Sequence, residues 1–199
     1  MREMVKMVIV LTVLSSLSGG LLAALKNNTQ DRIDSQVLTF VKGPAIENIL
    51  EGANNDPVND RFSLKVEGEE EERNFFVGVY EGTPKAVAFE TRTSGYGGDM
   101  GVMVAFNVET DKIMGVSVTT HNETPGIGAT VETDTNFKNQ FAGLPADAEP
   151  SVKGDGGSIN AMSGATITSR AVCKAVSRAT DLYQQLQSQI KDQVKTFTG

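Results

Sequence analysis

Four hydroxyl side chains crowd into the run Ser163-Gly164-Ala165-Thr166-Ile167-Thr168-Ser169, directly before a segment with helical periodicity. Residues of these types at this spacing can do phosphate chemistry. Gly164 and Ala165 are small, so a bulky phosphorylated group can approach the backbone. The start of a helix presents unpaired N–H groups and a partial positive charge, and both suit an anionic phosphate. A threonine hydroxyl there could bind the phosphate or carry it as an ester. The same residues also suit an ordinary N-cap, and the run by itself does not separate the two readings.

Two further blocks lie upstream, Ser94-Gly95-Tyr96-Gly97-Gly98 and His121-Asn122-Glu123-Thr124-Pro125-Gly126-Ile127-Gly128. In order and spacing, these two blocks followed by SGATITS resemble the FMN-binding domain family. Within it the chain is most similar to the G subunit of the Rnf electron-transport complex, and the C subunit of the sodium-pumping NADH:quinone reductase shares the domain. The likeness runs from the N-terminal apolar segment to the final helix.

The resemblance implies FMN joined through its phosphate to the last Thr of the SGAT string, which here is Thr166. It also implies contacts to the flavin ring from the ETPG-type turn, here Glu123, Thr124, Gly126 and Ile127. Around that frame, the backbone of Gly164 and Ala165 would lie near the phosphate. Ser163 and Thr168 would offer it hydroxyls or cap the helix, and Lys153 could neutralise it. Pro125 would stiffen the turn, Gly126 and Gly128 would let backbone N–H groups face the flavin, and Ile127 could pack on one ring face. His121, the one histidine, is a candidate flavin neighbour. The flavin-transfer signature of the family usually has Asp six residues before the modified Thr. Here that residue is Asn160, which keeps the shape and one acceptor oxygen without the charge.

By the same resemblance the chain is an electron-transfer subunit, a carrier more than a catalyst. It would sit with other membrane subunits in an Rnf-type complex that moves electrons between ferredoxin and NAD and couples this to Na⁺ or H⁺ movement. A flavin transferase would mature it. Two rivals stand beside this reading: an exported, anchored domain without redox function that binds a peptide or cell-wall component, and a flavin subunit of an Nqr-like or other reductase.

Composition narrows the field. The chain has 199 residues and a net charge of −7, so no basic surface exists for a nucleic-acid backbone. A single histidine leaves no second one for a zinc site, and no GxSxG elbow accompanies it. Asp147, Glu149 and Asp155 lack the alternation of a calcium loop, so no metal is expected. The lone Cys173 excludes an internal disulfide and reads as a buried structural thiol.

The elements that must position the site follow from periodicity. Residues 7–25 carry no charge, and about 19 residues at 1.5 Å each suffice to cross a hydrocarbon core. Arg2 and Lys6 precede them, which favours a cytoplasmic N-terminus and a main domain exported to the periplasmic or extracellular side of a cell inner membrane. Ala23-Ala24-Leu25 makes a poor small-x-small cleavage site, so a retained single-pass anchor is expected over a cleaved signal peptide.

Past the anchor, apolar spacing from Ile33 to Leu50 suggests a helix, a break at Pro44 and a second turn. Alternation predicts strands at Phe62 to Val66, Phe75 to Tyr80, Lys85 to Thr91, Gly101 to Asn107 and Ile113 to Thr119. Hairpins are expected at Glu81 to Pro84 and near Glu109 to Lys112. Asn136 to Leu144 reads as a short helix. Thr166 opens a long one with the apolar stripe Val172, Ala175, Val176, Ala179, Leu182, Tyr183, Leu186, Ile190 and Val194. The expected fold is therefore α+β: a transmembrane anchor at 1–26, a helical linker and first strand at 27–74, and an antiparallel-sheet domain with flanking helices at 75–199.

Overall fold

The computed structural model describes residues 2–69 and 72–197. The chain divides into two compact units, Met1–Phe40 and Val41–Gly199. In the first, helix α1 (Arg2–Gln36) runs unbroken, and its Arg2–Gln30 portion is long and apolar enough to cross a membrane. Its apolar residues, among them Leu11, Leu14, Leu17 and Leu21, are exposed to their surroundings, as a lipid-facing helix requires. A π-helical stretch, Val37–Lys42, then leads into helix α2 (Gly43–Ile49). The expected break at Pro44 is absent: Lys42 keeps helical φ and ψ, and Pro44 sits in the first turn of α2, where proline's missing N–H costs nothing.

In the second unit five strands form one sheet in the order β1-β2-β3-β4-β5, each antiparallel to the next. They are β1 (Arg61–Lys65), β2 (Glu72–Tyr80), β3 (Thr83–Ser94), β4 (Asp99–Asn107) and β5 (Lys112–Thr120). All five expected strands are present, most of them longer than alternation alone indicates. The β2–β3 turn is shorter than expected. Glu81 (φ 54) and Gly82 (φ 75) make a two-residue connection with both φ positive, the primed geometry that suits the twist of a hairpin. Pro84 consequently lies inside β3, paired with Val79 beside a bulge, where its absent donor is tolerated. Gly95 to Gly98, placed by the sequence between hairpins, is itself the β3–β4 hairpin: Gly95 N–H donates to the Gly98 carbonyl at 2.7 Å.

Between β5 and the last helix the chain is irregular. A 3₁₀ turn (Gly128–Glu132) precedes helix α3 (Thr135–Lys138), capped by Asp134 accepting from Phe137 N–H at 3.0 Å. A second 3₁₀ turn, Asn139–Phe141, replaces the rest of the expected 136–144 helix. Of the acidic run Glu67 to Glu72, residues 70 and 71 lie outside the described residues.

One sheet face packs on helix α4 (Thr166–Val194), whose expected apolar stripe is buried throughout. An aromatic ladder crosses this face through Phe62, Phe75, Phe89, Phe106 and Tyr183, with centroid separations of 5.3, 4.9, 5.6 and 4.4 Å. Each such contact adds about 0.5–1.5 kcal/mol beyond area burial. The Tyr183 hydroxyl donates to Asp111 Oδ1 at 2.8 Å, so the one polar atom of the ladder is satisfied. Thr91 Oγ1 donates to the Ala175 carbonyl at 2.8 Å, tying β3 to α4. The opposite face is built from small residues under α2. A Cβ on Gly78 would meet Leu50 Cδ2 at 3.3 Å, one on Gly115 would meet Ile49 Cβ at 3.8 Å, and Lys42 pairs with Glu90 at 2.8 Å.

Cys173 is buried in α4, and burial pushes its thiol up to about 11. From an ordinary value of 9.0 that rise cuts the thiolate fraction about 100-fold. An alkylating reagent at pH 8 should therefore label Cys173 about 100-fold more slowly in the native protein than after unfolding. Comparable rates would show that this part of α4 opens readily.

Candidate functional site

The site is assembled where three loops meet at the start of α4. Of the four hydroxyls in the SGATITS run, two are consumed by the fold. Ser169 is buried, donating to the Ala165 carbonyl at 2.9 Å and accepting from Met162 N–H at 3.0 Å. Thr168 is 1% exposed and donates to Glu123 Oε2 at 2.7 Å, so its hydroxyl proton is taken up by a carboxylate. The remaining two, Ser163 and Thr166, are exposed, and no hydrogen bond to either side chain occurs among the described residues.

The helix end itself is open. The N-cap of α4 is Ala165, with no side-chain cap, although serine and threonine stand on both sides of it. Capping therefore does not explain the run. Gly164 adopts φ 76, a left-handed turn that costs other residues strain, and it swings the chain into the helix so that Thr166 occupies the first helical position. The first-turn N–H groups and the positive end of a 29-residue helix are left beside the Thr166 hydroxyl.

Glu123 is the hub. It is 6% exposed. Its Oε1 accepts from Tyr96 N–H at 2.8 Å and Gly97 N–H at 3.1 Å, and its Oε2 accepts from Thr168. One carboxylate thus joins the β3–β4 hairpin, the turn after β5 and the start of α4. These partners are all neutral N–H and O–H groups, helped by the positive end of α4. Glu123 faces inward, so its role is to hold the loops.

The glycines follow from that packing. A Cβ on Gly95 would lie 2.2 Å from Glu123 Oε1, one on Gly97 1.9 Å from the Asn122 carbonyl oxygen, and one on Gly128 2.5 Å from Glu123 Oε2. Gly128 makes room for the carboxylate and is buried. Gly97→Ala should therefore destabilise the protein by about 3 kcal/mol, the upper range for forcing a methyl into a packed site. Its thermal unfolding midpoint is the measure, and one equal to wild type would mean the hairpin shifts freely.

The Glu123-to-Gly128 turn has Pro125 followed by Gly126 at φ 75, with Ile127 N–H donating to the Thr124 carbonyl at 3.2 Å, the requirements of a type II turn. Thr124 and Gly126 are exposed on it. Ile127 is 50% exposed, and its Cγ2 would stand 3.7 Å from a Cβ on Gly164, so the turn lies against the SGAT loop. Ile167 (50% exposed) and Tyr96 (69%) add further apolar surface on the other two of the three joined segments. Motif spacing does not single out Tyr96 and Ile167; their signal is an uncovered apolar residue inside each motif. A planar aromatic group fits such surface.

His121 belongs to the scaffold. Glu123 N–H donates to its Nδ1 at 3.2 Å, which puts the ring proton on Nε2, 3.4 Å from Glu132 Oε2. Lys153 is exposed in the 3₁₀ turn Lys153–Asp155, its N–H held by the Ile159 carbonyl at 2.8 Å. A cation held at the start of α4 is Arg170, one turn beyond Thr166 on the same helix face. It grips Asp155 through Nε and Nη2, both at 2.7 Å. That bond holds the Asp155 carboxyl below its ordinary range. The resemblance does not point to Arg170 either, though its i+4 spacing from Thr166 is visible in the sequence.

Comparisons with known proteins agree with this geometry. Residues 95–181 match the model of the FMN-binding domain. The G subunit of the ion-translocating oxidoreductase complex of Shewanella oneidensis is 30% identical, over 96% of this chain and 95% of that protein. The G subunit of the proton-translocating ferredoxin:NAD(+) oxidoreductase complex of Clostridium ljungdahlii is 40% identical over 58% of this chain and 57% of its own length. The crystal structure of the C subunit of Na⁺-translocating NADH-quinone reductase from Parabacteroides distasonis shares the fold. Its TM-score is 0.58 at 21% identity, covering 74% of this chain and 92% of that one. With near-complete coverage of a relative at 30% identity, and all three motifs meeting at one helix start, the protein belongs to the family of G subunits of ion-translocating oxidoreductase complexes, built on an FMN-binding domain.

Proposed function

We propose that this chain is the FMN-carrying electron-transfer subunit of a membrane ion-translocating oxidoreductase complex, with the flavin esterified to Thr166. The observation that carries the reading is the open start of α4. A free, exposed Thr166 hydroxyl sits at the first helical position behind an alanine cap, while the neighbouring Thr168 and Ser169 hydroxyls are tied into the fold. Bound FMN supplies reversible one- and two-electron chemistry. Thr166 would hold its phosphate, the Thr166–Thr168 backbone and Arg170 would offset the charge, and Tyr96, Ile127 and Ile167 would flank its ring. The residues present fit the group.

Ester formation from free FMN would release water and run uphill in water, so an activated flavin is needed. The Thr166 Oγ–P bond would form as the phosphoanhydride of a dinucleotide flavin donor breaks. The mononucleotide would leave and the hydroxyl proton would pass to solvent, under a dedicated flavin transferase. Helix α1 anchors the chain in the membrane beside the other subunits of the complex. The basic residues Arg2 and Lys6 ahead of its apolar stretch support a cytoplasmic N-terminus and a flavin domain on the far side. Peptide mass analysis of protein from its native membranes tests the ester. The expected result is a peptide containing Thr166 heavier by FMN less one water. An unmodified peptide in a chain that also shows no flavin fluorescence on a denaturing gel would overturn it, and would favour the anchored binding domain.

A further inference from the structure

We infer that Gln140 is a positioning residue for modification of Thr166, acting through Asn160. The inference rests on the reading that FMN is esterified at Thr166. A single side chain makes three hydrogen bonds to a single residue here. The Asn160 backbone N–H and side-chain Nδ2 both donate to Gln140 Oε1, at 2.7 and 2.9 Å, and Gln140 Nε2 donates to the Asn160 carbonyl at 3.1 Å. Gln140 is itself placed by the core, since it stands in the Asn139–Phe141 turn between buried Phe137 and Phe141.

Asn160 begins the segment leading to Thr166, a segment exposed except at Met162 and Ala165. Just before it, Ile159 is buried, its N–H on the Ser151 carbonyl at 3.0 Å and its carbonyl taking Lys153 N–H at 2.8 Å. Just after it, Met162 N–H is held by Ser169 Oγ at 3.0 Å, and Ala165 N–H donates to the Met162 carbonyl at 3.1 Å. Gln140 supplies the middle of three pins. Without it nothing among the described residues pins the chain between Ile159 and Met162. Phosphoryl transfer to Thr166 Oγ needs that oxygen in line with the breaking phosphoanhydride of the dinucleotide flavin, and an error of about 1 Å can cost 100-fold in rate. Loosening this stretch should therefore slow modification while leaving the folded core intact.

The pair is also chemically specific. Gln140 Oε1 accepts from both Asn160 donors, so Asn160→Asp would set a second acceptor against it and weaken the clasp, leaving the two bonds to the residue-160 backbone.

The test uses the full-length chain, in membranes, with its transferase and the dinucleotide flavin, following the initial rate of FMN addition by mass. Gln140→Ala should lower that rate about tenfold. Asn160→Asp should lower it less, about threefold, when Gln140 is present, but change it by less than about twofold when added to Gln140→Ala, because the two act as one unit. A bystander glutamine would give no change, or effects that multiply. Hydrogen exchange on the unmodified chain is the second readout: Gln140→Ala should deprotect the Asn160 amide and leave α4 unchanged. Wild-type rates in Gln140→Ala, faster modification in Asn160→Asp, or multiplying effects would each overturn the inference. If Gln140→Ala does not fold, Gln140→Glu decides: it keeps the side-chain volume and loses the donor to the Asn160 carbonyl, so a wild-type rate in it would overturn the inference. A wild-type chain that accepts no flavin would instead sink the ester reading itself.

Discussion

Thr166→Val protein, expressed with the transferase and recovered from membranes, is expected to carry no covalent flavin and to melt as the wild type does. Valine matches threonine in shape and in helix propensity. The Thr166 hydroxyl makes no hydrogen bond among the described residues and is exposed, so its loss should change stability by no more than about 0.5 kcal/mol. Loss of label with an unchanged melt therefore reports chemistry and not folding. In-gel fluorescence after denaturation gives the first answer, and peptide mass gives the second. The informative control is Ser163→Ala, since Ser163 is the other exposed and unbonded hydroxyl of the run among the described residues. It should keep the flavin. Flavin retained by Thr166→Val and lost from Ser163→Ala would move the ester three residues back and leave Thr166 a mere helix start.

Replacing Glu123 should have the largest effect on the fold of the site. Glu123→Ala removes one acceptor group from Tyr96 N–H, Gly97 N–H and the Thr168 hydroxyl together. Water can reach the two backbone donors in their exposed hairpin, but Thr168 is buried and keeps an unsatisfied hydroxyl. The expected cost is about 2–4 kcal/mol, read as a lower unfolding midpoint in denaturant. Glu123→Gln keeps an acceptor oxygen and should cost about 1 kcal/mol, the worth of an ordinary hydrogen bond against a charge-assisted one. The flavin would respond differently from the label on Thr166. Under the proposed reading either variant that folds should retain covalent FMN, and in Glu123→Ala, where Tyr96 and Ile127 would fall out of register, the flavin should lose its induced circular dichroism. A Glu123→Ala protein as stable as wild type would show that the three loops hold together without it.

Much of this protein is legible in its residues alone. The α4 stripe, the five strands and the apolar anchor rest on periods of 3.6 and 2, which neighbouring residues set among themselves. The order of the three motifs, and the hydroxyl run at a helix start, are equally local. What residues 94–98, 121–128 and 163–169 do for one another cannot be read that way. The resemblance implies a ring contact for Glu123, whereas its carboxylate turns inward to partners 26 to 45 residues away. Thr168 reads as available for phosphate until that carboxylate claims it. Two glycines of the hairpin, Gly95 and Gly97, clear space for Glu123 and the backbone beside it, partners far away in the sequence.

The residue types alone thus determined which chemistry the chain could carry and which helix would present it. Tertiary structure decided which hydroxyl is free, which carboxylate is structural and which glutamine holds the stretch before Thr166. The physical reason is that a hydrogen bond joins whichever donor and acceptor the folded backbone brings within about 3 Å. Here that choice was made by an antiparallel meander that delivers the β3–β4 hairpin and the turn after β5 to the first turn of α4.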